Sequence, residues 1–463
     1  MNWKQDSKEI EEKILQKITP SCEEKNRLQK IIKALKKDVR REIKKRKIPA
    51  DPILVGSTAK DTYLKNNLDI DLFLLFPTNF SKEQLKKHVI SIGRKVLQKP
   101  QECYAEHPYI RGIYKDYKTE IVPCYKIEYA SQKISAVDRT PLHTEYVKKH
   151  LQEQQKREVR LLKQFLKGIG CYGAEAEIEG FSGYLCEILI IKYGSFQKVL
   201  EDAQNWNIGK KLYLSKEKEK KNLPDFDEPL TFIDPVDHSR NVASAVSKEK
   251  LVLFIKASRE YIKKPSITFF FPRKIKTWPL KRIKEKIGKT GYHFVGIKLP
   301  KPDIIPENLY PQIRKALRSI KDLCLKYDFK VMDIKFHVDE TNDIIYIILQ
   351  TDKTQLSKTF THKGPPTRLK KNVEEFLQKW KNNPRVTKKP YEKNGRLYVE
   401  IKREYIEIKK LLKNKLTTLS LGKHIDEVIK KKGYNILDVD DLLVDDLKNF
   451  WTAYLDKKMP WER

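Results

Sequence analysis

The chain has 463 residues, of which 39% are hydrophobic, enough for several buried cores, and this length favours about three domains. Lys and Arg total 96 against 62 Asp and Glu, so the formal net charge of +34 indicates a polyanionic partner such as nucleic acid; a lysine-rich surface that only prevents aggregation is the alternative. The chain shows no apolar run of about 18 residues and no signal peptide, so we expect a cytoplasmic protein without a membrane span. Its six cysteines form no CxxC pair, so we expect reduced cysteines and neither a zinc ribbon nor a disulfide framework.

Hydrophobic periodicity in the first third of the chain predicts a mixed α/β head, residues 1–150. The predicted elements are two helices within residues 8–48 that break near Pro20, a strand at 53–55, a helix-like segment, a strand at 69–76, a helix at 81–97 capped by Ser81, and strands at 103–114 and 119–127. Strand, turn, helix and strand form its central unit.

Two further regions are predicted after the head. Residues 151–258 form a mostly helical central domain, with the Lys/Glu run at 216–221 as a loop. Residues 259–463 form an α/β C-terminal region. Its predicted elements are a βαββ module (strand 292–299, helix 306–326, strands 330–338 and 344–351), further helices, and a strand at Tyr398–Ile408. The fold class is therefore α+β.

The helix at 306–326 carries an apolar stripe made of Ile313, Leu317, Ile320 and Cys324. A neighbouring face carries the cations Arg314, Arg318 and Lys321. This face suits contact with nucleic-acid phosphates, although exposed helix faces are commonly charged for no other reason than solvation.

Two carboxylates mark the candidate site. Residues i and i+2 of a strand point to one side, so Asp69 and Asp71 present their carboxylates together while Ile70 and Leu72 face the core. Adjacent like charges are costly unless a cation neutralises them, and Mg²⁺ prefers carboxylates together with phosphate oxygens. Glu120, in a later strand, is the candidate third acid. Taken alone, a DxD pattern is more often a solvated strand edge than a metal site.

The segment before these carboxylates strengthens the prediction. Gly56 permits a sharp turn, and Ser57 then opens a helix whose free N–H groups, with the serine hydroxyl, suit a triphosphate. Lys60 adds a nearby cation. A Gly-Ser turn followed by a DxD strand and a strand acid predicts metal-dependent nucleotidyl transfer.

The stretch Val55–Pro77 (VGSTAKDTYLKNNLDIDLFLLFP) resembles the polymerase β-like nucleotidyltransferase signature, and specifically the archaeal-type (class I) CCA-adding enzymes. The similarity continues in order through EIVPCYK at 120–126, SAVDRTPLH at 135–143, residues 158–172, GFSGYLCEIL at 180–189 and DPVDHSRNVA at 234–243. It is dense over residues 50–270 and loose afterwards.

The resemblance implies addition of C, C and A to the tRNA 3′ end from CTP and ATP without a template, and a possible homodimer. It implies that Asp69, Asp71 and Glu120 are the catalytic metal carboxylates. It implies a nucleotide site of Gly56, Ser57, Lys60, Thr140, His143, Lys163 and Tyr172, with Arg240 at the base. Glu120 stands where the family pattern has Asp, and Lys60 where it often has Arg, which removes a bidentate phosphate donor.

Two rival functions stay open at this stage. One is a poly(A) or oligoadenylate polymerase of the same superfamily, and the other is a non-catalytic RNA-binding protein with an inactive nucleotidyltransferase domain. Complete carboxylates argue against the second.

The charge predicts that tRNA binding weakens steeply as salt increases, because each neutralised phosphate releases a counterion. The measurement is the affinity for tRNA over a series of salt concentrations. A nearly flat dependence of log affinity on log salt would show that phosphate neutralisation does not contribute to tRNA binding.

Overall fold

The computed structural model describes residues 3–65, 67–104, 108–214 and 224–463. The chain divides into two compact units, residues 1–274 with 458–463, and residues 275–457. Over the described ranges, we find no helix with the length and apolar character needed to cross a bilayer.

The first unit begins with the head. Its elements are α1 (Trp3–Ile18), α2 (Cys22–Lys45), β1 (Asp51–Val55), α3 (Gly56–Lys60), β2 (Asp69–Phe76), α4 (Lys82–Val96), β3 (Gln98–Tyr104), β4 (Pro108–Tyr114) and β5 (Tyr117–Tyr125). The break near Pro20 is confirmed, and Ser21 begins α2 with a capping box. Ser81 caps α4 in the same way, as predicted.

One mixed sheet in the order β1-β2-β5-β4-β3 organises the head. Strands β2 and β5 are parallel, and the other pairs are antiparallel. Alternation along β2 places Ile70, Leu72 and Leu74 at zero exposure in a core with α2 and α4, as the pattern predicts. The odd-numbered residues of β2, including both aspartates, therefore lie on the other face.

The prediction of one strand over 103–114 is wrong. Cys103 lies opposite Tyr109 in an antiparallel pair, so β3 and β4 are separate strands that pair with each other. A run of β-forming residues predicts extended backbone, but it does not show where the chain reverses direction.

The central region is mostly helical, as predicted. It contains α5 (Arg139–His150), α6 (Gln155–Gly168), α7 (Gly183–Tyr193), α8 (Phe196–Ala203), β6 (Lys210–Leu212), β7 (Leu230–Phe232) and α9 (Lys248–Lys263). Phe165 lies at the centre of its core, with five aromatic rings at centroid distances from 5.4 to 6.4 Å. The run 216–221, predicted to be a loop, lies outside the described residues.

The second unit contains α10 (Leu280–Gly288), β8 (His293–Pro300), α11 (Pro306–Lys326), β9 (Val331–Asp339), β10 (Ile344–Thr351), β11 (Thr359–Pro366), α12 (Lys370–Trp380), β12 (Val386–Lys393), β13 (Arg396–Lys402), α13 (Ile408–Lys415), α14 (Lys423–Lys432), β14 (Asn435–Leu437) and α15 (Lys448–Asp456). The predicted βαββ module is confirmed as β8, α11, β9 and β10. Its antiparallel sheet also includes β14.

The smaller sheet of this unit, β11-β13-β12, packs with α12 around Phe376 and Trp380. Strands β11 and β12 were not predicted. The strand predicted at Tyr398–Ile408 is wrong at its end, because β13 stops at Lys402 and Ile408 begins α13. Ile408 is fully buried in the core of the larger sheet, which explains why an apolar residue follows the strand.

The close packing of α6 predicts the effect of a one-carbon change. A Cβ at Gly168 would lie 2.1 Å from the carbonyl oxygen of Phe269, so backbone would have to move. We expect Gly168→Ala to lower the free energy of unfolding by about 3 kcal/mol in urea denaturation. In Gly288→Ala, the matched helical change, a Cβ would meet nothing within 4 Å, and we expect no loss of stability. Equal effects of the two changes would contradict the packing argument.

Candidate active site

Three carboxylates lie on two neighbouring strands of the head sheet. Asp69 and Asp71 are on β2, and Glu120 is on β5 directly opposite Asp71 in the parallel register. Asp69 is exposed, whereas Asp71 and Glu120 are partly exposed. The sheet thus brings together the three acids that the sequence predicted.

Asp71 shows the electrostatic strain of this arrangement. Its burial and the negative charges of Glu120 and Asp69 raise the pKa of its carboxyl to about 7, and the positive charge of Lys60 offsets part of this effect. Carboxylates that oppose each other's ionisation are a suitable donor set for a hard divalent cation. No cluster of three His, Cys, Asp or Glu side chains is gathered tightly enough around one point within the described ranges to be a preformed metal cage.

Arg111 pairs with the third of these acids. It lies on β4 opposite Glu120, and its Nε donates to Glu120 Oε1 at 2.8 Å, with Nη2 2.7 Å from the same oxygen. Nη2 also donates to the Tyr109 hydroxyl at 3.2 Å. Arg111 was not predicted, because its place opposite Glu120 follows only from the β4–β5 register.

The Gly56 turn closes one side of the carboxylates. Gly56 has φ of 72°, and a Cβ there would lie 2.1 Å from Asp71 Oδ2. Val55, the residue before it, pairs with Asp71 across the β1–β2 ladder and leaves the first N–H groups of α3 without a side-chain cap. Because α3 has only five residues, its positive end is weaker than that of a longer helix.

Lys60 and Lys163 share one buried partner. Both ammonium groups form ion pairs with Glu187 of α7, whose side chain is 1% exposed. Tyr172 lies at the same place, since a Cβ at Gly183 would be 3.2 Å from its hydroxyl and 3.6 Å from Lys163 Nζ. The structure therefore brings Lys60, Lys163 and Tyr172 together, and it adds Glu187, which the sequence analysis missed.

A second cluster is built around Asp234, which is fully buried. His143 Nε2 lies 2.8 Å from Asp234 Oδ2, and Arg240 Nη1 donates to the same oxygen at 2.9 Å. The Tyr184 hydroxyl donates to Oδ1 at 3.2 Å. Burial lowers the pKa of His143, although the bond and charge of Asp234 partly offset it. Asp234 and Tyr184 lie in segments that carry the family resemblance, but the sequence assigned neither of them a role, because their contacts depend on the fold.

Tyr184 connects the two clusters. Its ring stacks on His143 at a centroid distance of 4.1 Å, and Lys60 Nζ lies 5.9 Å from its ring centroid. Thr140 lies on α5, the helix that also carries His143. Its backbone carbonyl accepts a hydrogen bond from the hydroxyl of Thr144, one turn later. Tyr184 thus links Lys60 to the Asp234 cluster that holds Arg240.

The three cations predicted to contact RNA lie on α11 of the second unit. Arg318 and Lys321 are exposed, and Arg314 is half-buried. The stripe beside them is confirmed: Ile313, Ile320 and Cys324 are fully buried, whereas Leu317 is only partly buried.

Comparison with known families agrees with this organisation. A nucleotidyltransferase domain matches residues 29–143, the second domain of tRNA nucleotidyltransferases matches 157–271, and the C-terminal domain of CCA-adding enzymes matches 290–438. A solved structure described as a cytoplasmic RNA terminal U-transferase covers 60% of this chain and 100% of its own, with 15% identity and a TM-score of 0.46, and carries no part of the assignment.

Curated relatives cover nearly the whole length. The CCA-adding enzyme of Methanocaldococcus jannaschii is 36% identical, covering 90% of this chain and 93% of its own. That of Methanosarcina acetivorans is 35% identical over 92% of both chains, and that of Thermoplasma volcanium is 37% identical over 90% of both. With this identity sustained across head, central and C-terminal regions, the chain belongs to the CCA-adding enzyme family of tRNA nucleotidyltransferases.

Proposed function

We propose that this enzyme completes the tRNA 3′ end at the edge of the head sheet, with Mg²⁺ held by Asp69, Asp71 and Glu120. Family membership gives CCA addition from CTP and ATP and a divalent metal requirement. The observation that supports the location is the place of these acids on the neighbouring strands β2 and β5, where Asp71 lies opposite Glu120 and against the Gly56 turn. When bound, the cation would activate the attacking hydroxyl and neutralise charge on the departing pyrophosphate.

The phosphate-binding groups are proposed from their places around this edge. The Ser57 hydroxyl and the N–H groups of α3 face the triphosphate, and Lys60 supplies positive charge from the same turn. Lys163 and Tyr172 adjoin Lys60 through Glu187 and the start of α7. Thr140 and His143 lie on α5 between the phosphates and the base.

Base selection is assigned to Arg240. C and A both offer an exocyclic amino donor beside a ring-nitrogen acceptor, whereas U and G reverse that order. A guanidinium donor with a backbone acceptor therefore satisfies C and A but leaves U and G with unpaired polar groups, at about 1–3 kcal/mol each. Asp234 holds one nitrogen of Arg240, which fixes the direction of the remaining N–H groups.

The wider assembly follows from the family and the charge. We propose that Arg314, Arg318 and Lys321 contact tRNA phosphates, because two of them are exposed on one helix of a strongly basic chain. The homodimer rests on the family resemblance alone. The cytoplasmic location and the boundaries at 150 and 258 stay predictions.

Nucleotide usage tests the function directly. On tRNA that ends at the discriminator base, we expect two residues from labelled CTP and then one AMP, and no addition from UTP or GTP. Gel analysis of the labelled tRNA measures this. ATP-only tailing of arbitrary RNA would instead identify a poly(A) polymerase, and normal addition by Asp71→Asn would contradict the metal assignment.

Asp71 also predicts a pH-dependent stability in the absence of divalent cations. As pH rises, an unfolded Asp loses its proton near its ordinary pKa of 3.8, whereas folded Asp71 keeps it to about pH 7, so stability falls across this window. We expect Asp71→Asn to be more stable than wild type above that window by about 2–4 kcal/mol, and the gap to close towards pH 4. Urea denaturation in chelator at several pH values measures this gap.

A divalent cation is the control for this measurement. Its addition should stabilise wild type, because it removes the repulsion among the carboxylates, and should have little effect on Asp71→Asn. A gap that is the same at every pH would show that Asp71 carries no unusual proton affinity.

A further inference from the structure

We propose that Glu187 is a positioning residue of the nucleotide site, which holds Lys60 so that two of its N–H groups remain available to the triphosphate. This inference rests on the proposed function, because it takes Lys60 as a phosphate-binding group. Glu187 itself contacts no substrate in this proposal and acts through the lysine.

The geometry places three chain segments on one carboxylate. Glu187 Oε2 accepts a bond from Lys60 of α3, and Oε1 accepts the Thr62 hydroxyl at 2.5 Å. The Nζ of Lys163, on α6, lies 3.4 Å from the same Oε1. A substitution at Glu187 therefore affects Lys60, next to the Gly-Ser turn, although Glu187 does not contact the reacting atoms.

The two lysines differ in the number of N–H groups that remain free to donate. Lys163 Nζ has three partners, the Thr62 carbonyl at 3.1 Å, the Thr62 hydroxyl at 3.1 Å and Glu187, and an ammonium has three N–H groups. Among the described residues, Lys60 Nζ has Glu187 as its hydrogen-bond partner, with the face of Tyr184 alongside. Lys163 braces the carboxylate in this structure, and Lys60 is the cation with free donors.

Lys60 also lies on the side of α3 that carries Ser57. Ser57 and Lys60 are three residues apart on one helical turn, so their side chains share a face. Lys60 ends α3, the short helix that begins at Gly56 against Asp71 Oδ2, which places Lys60 near the carboxylate edge. Lys60 and Lys163 both pair with the Glu187 carboxylate, so the cluster gathers lysine amino groups at the place proposed for the triphosphate.

A purely structural ion pair is the competing explanation, since breaking a buried pair destabilises a protein wherever it lies. The two explanations differ in their phosphate dependence. A positioning role affects binding of the triphosphate group, whereas a loss of folding affects every ligand equally.

The test is Glu187→Gln, with inhibition constants for inorganic triphosphate and for AMP, and KM and kcat for ATP and CTP. We expect the triphosphate constant and both KM values to rise about tenfold, with kcat and the AMP constant changed far less. In a Lys60→Met background, Glu187→Gln should add no further loss of triphosphate affinity. Equal shifts for triphosphate and AMP, full additivity in the double variant, or no shift would overturn the proposal.

Glu11→Gln is the matched control, because Glu11 is another buried carboxylate of this unit and accepts bonds from Gln197. We expect it to leave the ratio of the two inhibition constants unchanged. If Glu187→Gln does not fold, Thr62→Val decides, since it removes the hydroxyl from Glu187 but keeps all three charges, and a threefold rise for triphosphate alone is expected. Wild-type protein that transfers no nucleotide would refute the proposed function, whereas active wild type with an unaltered variant refutes only the role of Glu187.

Discussion

Repulsion among carboxylates at the start of β2 is the constraint on which the site depends. Asp69 and Asp71 stay close to Glu120 because the intervening residues of β2 are buried in the head core, and this burial fixes the strand against its neighbours. The strain is relieved by cations that the structure provides, Arg111 on Glu120 and Lys60 near Asp71. A bound divalent ion would complete that neutralisation.

The cations around these carboxylates are in turn held by acids. Lys60 and Lys163 pair with Glu187, Arg240 with Asp234, and Arg111 with Glu120. A buried cation without a carboxylate partner would lower the free energy of unfolding. A long side chain without such a partner would lose conformational entropy when it binds substrate. Under the proposed function, pairing each cation with a carboxylate lowers both costs while leaving donors free, as we propose for Lys60.

Much of this could be predicted from local pattern. The alternation in β2 predicted which face carries the acids, the apolar stripe of α11 predicted its buried side, and glycine at position 56 predicted a turn, because each depends on residues close in sequence. The strand predictions failed where chain reversal or a second core decided the outcome, at residues 103–114 and at Ile408.

The sequence by itself determined the local features: two carboxylates on one strand, a third acid on another, a Gly-Ser turn and a strongly basic chain. The tertiary structure decided which charges meet. Glu187 lies 127 residues from Lys60, and Asp234 lies 91 residues from His143, so no spacing rule could pair them. Only strand register and helix packing bring such distant groups within hydrogen-bond distance, because these contacts depend on the whole core around them.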